Sequence, residues 1–130
     1  MFEETTREIR VAVEPSFLDD QSEPSANRYV WAYRVTIQNQ GREAVQLISR
    51  YWRITDGRGQ TREVRGPGVV GEQPTIKPGE SFEYTSGAPL ETPSGFMTGT
   101  YSMRSPRGEN FEIVIPLFAL DSPYEPRQVH

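Results

Sequence analysis

The residues best spaced for chemistry are three glycines, Gly66, Gly68 and Gly71, which form the pattern G-x-G-x-x-G. In dinucleotide-binding folds this pattern follows a strand and opens a helix, whose N-terminus holds a pyrophosphate. A strand is predicted to end at Val64, so the first half of that context is present. The second half is missing, because segment 72–78 contains two prolines and cannot open a normal helix.

Two interpretations of these glycines are open. In the structural one, which we favour, the glycines supply positive φ and close backbone approach where the chain crosses between sheets. In the functional one, successive backbone N–H groups form an anion-binding nest with help from Arg62 and Arg65. The candidate phosphate-binding residues are then Gly66, Gly68, Gly71 and Arg65.

No set of residues is typical of nucleophilic catalysis. The chain has no cysteine and a single histidine, His130, which is its last residue. Ser-His-Asp and Cys-His arrangements are therefore excluded within one chain. A Ser-Lys dyad would have to use Lys77, in a predicted Pro-Gly turn, and the carboxylates Asp56 and Glu63 lie near a hairpin turn. We predict no catalytic residue and no enzymatic activity.

The composition also argues against a metal site. Zinc and cobalt sites normally need several His, Cys or carboxylate ligands. The carboxylates Asp19, Asp20 and Glu23 lie together in a polar segment, where a solvated loop is the ordinary explanation. We expect no metal and no cofactor.

Length and charge indicate one domain of 130 residues with a net charge of −4. An acidic domain is repelled by phosphate backbones, so we expect no nucleic-acid partner. The N-terminus lacks the basic and apolar regions of a signal peptide, and no apolar run approaches the ~20 residues that span a bilayer. We predict a cytoplasmic protein without membrane insertion.

Hydrophobic residues recur with a period of two, which is typical of half-buried strands. A first strand is predicted around Ile9–Val13, and a second around 28–37 with Tyr29 and Ile37 on its apolar face. Turn signals every 8–15 residues separate such runs, and no amphipathic helix is apparent. The sequence therefore predicts an all-β, two-sheet sandwich of about seven strands, of the immunoglobulin or fibronectin type III-like class.

The third predicted strand, Ala44–Asp56, should carry Val45, Leu47 and Tyr51 on one face and Ile48, Trp52 and Ile54 on the other. Asp56-Gly57 predicts a hairpin turn into a short strand at 61–64.

Prolines and glycines predict where strands stop. The segments 66–74 and 86–94 should lie outside the sheets, and Pro116 should end regular pairing or sit at an edge. Residues 1–6 are expected to be a flexible N-terminus, 7–120 the folded domain and 121–130 a flexible tail, and 19–27 a mobile loop.

The aromatic residues allow two interpretations. Trp31 and Trp52 lie in the two strongest strands and are expected in the core. Tyr29, Tyr33 and Tyr51 would mark a binding surface if they shared an exposed face.

Four strings together resemble the ApaG family, also known as CorD: Leu47–Asp56, Glu63–Pro74, Pro78–Gly87 and Thr92–Tyr101. The resemblance extends over 7–120, and the string GPGVVGEQP within it is specific. It implies a fibronectin type III-like sandwich. It also implies an association with cobalt and magnesium tolerance or efflux, and use as an interaction module in eukaryotic relatives. In the family the glycine motif has been suggested to hold pyrophosphate, which would map onto Gly66, Gly68 and Gly71.

These observations favour a non-enzymatic binding module that acts through a protein partner. The alternative is a binder of pyrophosphate- or nucleotide-like anions through the Gly66–Gly71 loop, with a phosphate-containing small molecule as ligand. Two sheets with open edges are compatible with a monomer or a weak homodimer.

Overall fold

Alternating apolar and polar residues form two antiparallel sheets in the computed structural model, which describes residues 1–124. The sheets face each other across one apolar core, so the predicted all-β sandwich is confirmed. The strands within these residues are β1 (Phe2–Thr6), β2 (Ile9–Phe17), β3 (Tyr29–Asn39), β4 (Val45–Asp56), β5 (Thr61–Pro67), β6 (Thr75–Ile76), β7 (Ser81–Leu90), β8 (Gly95–Arg104) and β9 (Asn110–Leu120).

The first sheet has the strand order β1-β2-β3-β7, and the second has the order β5-β4-β8-β9. The short strand β6 pairs with the start of β4. The predicted apolar face of β3 is buried along its whole length, as are the inward-facing residues of β8 and β9. Trp31 and Trp52 both lie in the core, as expected from the sequence.

The N-terminus differs from the expected flexible segment. Phe2–Thr6 forms β1 and pairs in register with β2, from Phe2 opposite Val13 to Thr6 opposite Ile9. Its apolar contribution comes from Phe2 alone, whose ring lies 6.2 Å from that of Phe118. One aromatic residue among polar neighbours gives no alternating pattern, which is why the sequence did not reveal the strand.

The faces predicted for β4 are wrong because the strand contains an irregularity. Its register against β8 shifts between Leu47 and Ser49, as in a β-bulge. One extra residue reverses the alternation, so Leu47 and Trp52 are both buried in the same core. Tyr51 consequently lies opposite to its predicted side.

Three strands continue through prolines at or near which regular pairing was expected to stop. β5 continues through Pro67 and β7 through Pro89, in segments predicted to lie outside the sheets. Pro116 lies within β9, beside a register shift against β8. All three strands are edge strands, where a residue without an N–H leaves no ladder bond unmade. The alternative that placed Pro116 at an edge is therefore confirmed.

The start of the predicted tail is attached to the sandwich. The Trp31 indole donates to the Asp121 carbonyl at 2.7 Å, and the Ser122 hydroxyl donates to the Pro93 carbonyl. The Tyr124 hydroxyl donates to Asp19, in a segment that forms two short 3-10 helices. Residues 125–130, which include His130, lie outside the described residues.

Across residues 1–124, no helix has the length and apolar character needed to cross a membrane.

Candidate functional site

The two long sides of the sandwich are built differently. On one side, which we call the closed side, β1 and β9 pack against each other, and Val114 N–H donates to the Thr6 hydroxyl at 3.1 Å. On the other, the open side, no comparable contact joins β5 to β7 anywhere in the described chain. Clefts therefore open between the sheets on the β5–β7 side.

The glycine motif lies at one end of the open side, with Gly66 in the last residues of β5 and Gly68 and Gly71 in the loop between β5 and β6. Gly68 has a φ of +57°, and a Cβ there would lie 2.1 Å from the Glu72 carbonyl oxygen. Only glycine fits such a position. The next residues form a tight turn in which Val69 N–H donates to the Glu72 carbonyl and Glu72 N–H donates back to Val69.

The two central residues of this turn, Val70 and Gly71, have φ values of +43° and +80°. Positive φ at both positions is characteristic of the type I′ hairpin turn. It explains Gly71 without a ligand, and it places a β-branched residue at a strained position in Val70. A Cβ added at Gly71 would meet no atom within 4 Å, so glycine serves the backbone conformation alone at this position.

Gly66 has a different function from the other two glycines. It pairs with Arg50 across the β4–β5 ladder, and a Cβ at Gly66 would lie 2.9 Å from Arg50 Nη2. The guanidinium lies over the glycine backbone and reaches the loop, where Nη1 donates to the carbonyls of Pro67 and Gly68, both at 2.9 Å. Gly66 therefore makes room for Arg50.

The predicted anion nest is only half available. Gly68 N–H donates to the Ile48 carbonyl at 2.8 Å, and Val69 N–H is used within the turn. The N–H groups of Val70 and Gly71 donate to no protein acceptor in the described part of the chain. Positive φ thus accounts for Gly68 and Gly71, room for the Arg50 side chain accounts for Gly66, and two loop N–H groups are left over. The expected crossing between sheets is wrong, because β5 and β6 on either side of the loop both pair with β4.

Arg65, the predicted cationic helper, lies on the outer face of the second sheet. Its guanidinium stacks 4.4 Å from the centroid of the Tyr51 ring and lies 3.6 Å from Glu63. Arg62 lines a different cleft, at the far end of the open side. The structure therefore brings Arg65 together with Gly66, in a cleft of about 470 Å³, but brings neither arginine together with Gly68 and Gly71.

The cation that the structure does place beside the loop is Arg50. A cleft of about 230 Å³, the loop cleft, opens between the sheets next to the turn. Its first wall comes from β3 and β7, and its second from β4 and the loop. Its lining residues are Tyr33, Arg50, Trp52, Val69, Val70, Gly71, Tyr84 and Ser86.

Tyrosine hydroxyls form the inner end of this region. Burial raises the pKa of Tyr33 and of Tyr84, and it raises the pKa of Tyr101 well above its usual value. The hydroxyls of Tyr84 and Tyr101 bond to each other. The positive charge of Arg50 opposes part of each pKa rise, which places these hydroxyls within reach of the guanidinium field.

A larger cleft of about 650 Å³, the hairpin cleft, occupies the opposite end of the open side. It lies between the β4–β5 hairpin turn and the end of β7. Its charged residues are mixed, with Arg28 and Arg62 on one hand and Glu23, Asp56 and Glu91 on the other. Ile54 and Leu90 supply apolar surface, so this cleft has no single electrostatic preference.

Other candidate groups are used locally or lie apart. Asp56 accepts from the N–H groups of Arg58 and Gln60, whereas Glu63 accepts from Tyr51, so the two carboxylates make separate contacts. No group of three or more His, Cys, Asp or Glu side chains in residues 1–124 is arranged to hold a metal ion.

The tyrosines do not form a shared binding surface. Tyr29 and Tyr33 are buried, and Tyr51 lies on the outer face of the other sheet. The interpretation of these residues as one exposed aromatic cluster is therefore wrong.

Sequence reasoning missed Arg50, although a signal for it exists. Arg50, Trp52 and Ile54 alternate along β4, so a buried Trp52 places Arg50 on the inward face. A lone arginine on an inward face needs either an acidic partner or an unusual function. The bulge near Ile48 obscured which face is inward, because without it the apolar residues Val45 and Leu47 fall on the face opposite to Trp52.

Comparisons with known proteins show which family the chain is similar to. A family model described as the ApaG domain matches residues 19–105. Protein ApaG of Mesorhizobium japonicum is 59% identical over 130 residues, covering 100% of both chains. Protein ApaG of Rhodospirillum centenum is 60% identical over 124 residues, covering 95% of each chain. A crystal structure described as an ApaA protein from Bordetella pertussis is 51% identical, with a TM-score of 0.87, over 89% of this chain and 94% of that one.

Proposed function

The chain belongs to the ApaG family, and on that premise we propose that it is a non-enzymatic binding module that holds an extended segment of a protein partner along its open side. The observation that carries the proposal is the edge of β7, which within residues 1–124 pairs with no strand except β3 and borders both clefts. An unpaired edge strand is a template for strand addition, in which main-chain bonds give affinity and neighbouring pockets select side chains.

The orientation of β7 determines which of its backbone N–H groups a partner strand would contact. Pro89 has no N–H and therefore faces its nitrogen away from β3, toward the open side. Residues two apart on a strand share this orientation, so Thr85 and Gly87 direct N–H groups outward. Tyr84 and Ser86, which line the loop cleft, alternate with them and face inward.

Replacing Thr85, which is exposed, tests the proposal. Thr85→Pro removes one outward N–H and leaves the bonds to β3 in place, whereas Thr85→Val keeps the N–H at the same position. We expect proteins that co-purify with the natural chain to be retained by Thr85→Val and lost by Thr85→Pro. With such a partner purified, hydrogen exchange in the complex should show new protection within Ser81–Leu90.

Retention of the same partners by a folded Thr85→Pro variant would remove strand addition from the proposal. Protection confined to the outer face of β8 and β9 would place the interface elsewhere. Turnover of a phosphoanhydride by the purified chain would replace the binding module with an enzyme.

The family's association with cobalt and magnesium tolerance enters this proposal as an indirect effect, exerted through a cytoplasmic partner. Composition supports that view, because a chain with no cysteine and one histidine offers few ligands for tight cobalt binding. A stoichiometric, micromolar cobalt site on the isolated chain, measured by calorimetry without an affinity tag, would contradict it.

Anion binding is the second candidate, and we assign it to the loop cleft, with Arg50 in place of Arg65 as the cation. Arg50 is the specific observation in its favour.

A further inference from the structure

We propose that the loop cleft is a site for one oxyanion group, a carboxylate or a phosphate, with Arg50 as its charged partner. The inference deepens the proposed function, since it gives the chemistry of an anchor point on the same open side. It can also fail separately, because a partner strand can pair with β7 whether or not an anion occupies the cleft.

The first reason is that the Arg50 guanidinium is not neutralised. Among residues 1–124, the ion pairs join Arg7, Arg10, Arg34, Arg65 and Arg107 to carboxylates, and none of them includes Arg50. Arg50 is half-buried, and a buried cation without an acidic partner is costly. An incoming anion would supply the missing charge.

The second reason is that the guanidinium keeps donors available. Only Nη1 is used, for the carbonyls of Pro67 and Gly68. A guanidinium carries five N–H donors in a planar fork, so Nε and Nη2 retain three that meet no acceptor in the described protein. Two parallel donors are the arrangement that binds carboxylates and phosphates in a bidentate manner. Because the two loop carbonyls hold Nη1, the fork is already oriented.

The third reason is the chemistry of the surrounding wall. Arg50 is the one charged residue among those lining the cleft, and no carboxylate lies among them to repel an anion. The hydroxyls of Ser86 and Tyr33 are neutral groups that can donate, and the Tyr84 hydroxyl beside them bonds to Tyr101. Val70 and Gly71, whose N–H groups are unused, form the outer rim.

Size limits the ligand. A volume of about 230 Å³ lies below the range of roughly 300–1,000 Å³ that holds drug-sized ligands. The cleft therefore accommodates one anionic group and not a nucleotide base and ribose as well. An acidic side chain, a chain terminus and a phosphate all present such a group.

The test is an NMR titration of ¹⁵N-labelled full-length chain with sodium acetate, inorganic phosphate and sodium chloride in turn, at constant pH and ionic strength. We expect saturable shifts of the Arg50 Nε–H signal and of the Val70 and Gly71 amides with acetate, with phosphate or with both, and no saturation with chloride. Saturation with acetate alone identifies a carboxylate site, and saturation with phosphate alone identifies a phosphate site.

Variants separate a ligand-binding role of Arg50 from its bracing of the loop. Arg50→Gln should weaken binding about tenfold or more, the loss expected for a charge-assisted contact. Tyr33→Phe leaves both Arg50–carbonyl bonds intact and should weaken binding about threefold. Arg34→Gln, which removes an exposed arginine of β3, is the matched control and should change nothing. If Arg50→Gln fails to fold, the Arg50 Nε–H titration of the natural chain and the Tyr33→Phe result decide.

Three outcomes would overturn the proposal. Acetate and phosphate could give the same small, linear shifts as chloride, which is ionic-strength behaviour. The saturable shifts could centre on Arg62 and Arg65 instead of Arg50. Finally, when the same titration is repeated with pyrophosphate and with ATP, ATP could bind at least tenfold more tightly than pyrophosphate, which would require a nucleotide site larger than this cleft.

Discussion

The sheet edges are covered on the closed side of the sandwich and left apart on the open side. On the closed side, β1 covers the edge of β9 through the Phe2–Phe118 ring contact and the bond from Val114 N–H to Thr6. On the open side, β5 and β7 diverge, and the gap is lined by an arginine, tyrosine hydroxyls and a strained turn. Apolar packing holds one side, and polar groups occupy the other.

This difference separates the residues that hold the fold from those available for binding. Apolar burial contributes the main stabilising free energy and tolerates little change. A polar cleft contributes less to stability, and its hydrogen-bonding groups can serve a ligand. Substitutions on the closed side should therefore lower the free energy of unfolding strongly, and changes on the open side should lower it progressively less.

The largest effect is expected from Phe118→Ala. Phe118 is fully buried and lies against the rings of Phe2, Tyr33 and Trp52. Truncation removes these contacts and leaves a cavity, which should lower the free energy of unfolding by about 3–5 kcal/mol. Urea denaturation followed by tryptophan fluorescence measures this change.

Leu117→Ala is the matched control for that experiment. Leu117 precedes Phe118 on β9 but is 57% exposed, so its truncation should cost about 0.5 kcal/mol or less. Similar losses for the two variants would mean that β9 is not held by packing on the closed side, and the comparison of the two sides would lose its basis.

Sequence patterns predicted the strands of this core well because burial there follows strict alternation. The face that runs from Tyr29 to Ile37 was expected and is buried along its length. The misplaced features lack such periodicity. β1 has one apolar anchor, β6 has two residues, and the bulge near Ile48 reverses the parity of β4.

The candidate site was predicted less completely than the fold for a related reason. The spacing of Gly66, Gly68 and Gly71 is visible in the sequence, but glycine is needed at these positions for different reasons. Gly66 leaves room for a side chain, whereas Gly68 and Gly71 have positive φ. Arg65 was chosen because it adjoins the motif, yet alternation turns it to the outer face beside Tyr51. The hairpin that contains Arg50 was predicted, but its second strand was expected to stop at 64, before the Gly66 that pairs with Arg50.

The second-largest effect is an alkaline loss of stability that originates behind the loop cleft. Burial raises the pKa of Tyr84 and Tyr101, so both keep their protons in the folded state above the pH at which they ionise in the unfolded chain. Below about pH 10 both states hold these protons, and the pair adds no pH dependence. Above that pH the unfolded state releases protons first, so the free energy of unfolding should fall by about 2–3 kcal/mol per pH unit.

Urea denaturation at a series of pH values from about 7 to about 11.5 measures this dependence, because the range spans the pH at which free tyrosine ionises. Tyrosinate absorbance of the folded protein shows separately whether the buried hydroxyls have ionised. Tyr101→Phe should reduce the slope by about 1.4 kcal/mol per pH unit, since it removes one proton from the balance, whereas the raised pKa of Tyr33 contributes equally to both proteins. If tyrosinate absorbance from this pair appeared near pH 10 in the folded protein, water would have free access to the hydroxyls. The open side would then be deeper than the loop cleft indicates.

The smallest expected losses of stability come from substitutions at two glycines of the same loop, and they test how this loop is held on the open side. Gly68→Ala places a Cβ 2.1 Å from the Glu72 carbonyl oxygen at a φ of +57°, so the loop backbone must shift. We expect a loss of about 2–3 kcal/mol. Gly71→Ala meets no atom within 4 Å and is strained only by its φ of +80°, which should cost about 1 kcal/mol.

The two variants should also differ at Arg50. Gly68 provides one of the two carbonyls that hold the guanidinium, so Gly68→Ala should move the Arg50 Nε–H signal, and Gly71→Ala should leave it in place. Equal losses of stability with no change at Arg50 would show that the loop does not orient the guanidinium. In that case the available donors of Arg50 would not be preorganised, and any anion bound there would have to order the arginine itself.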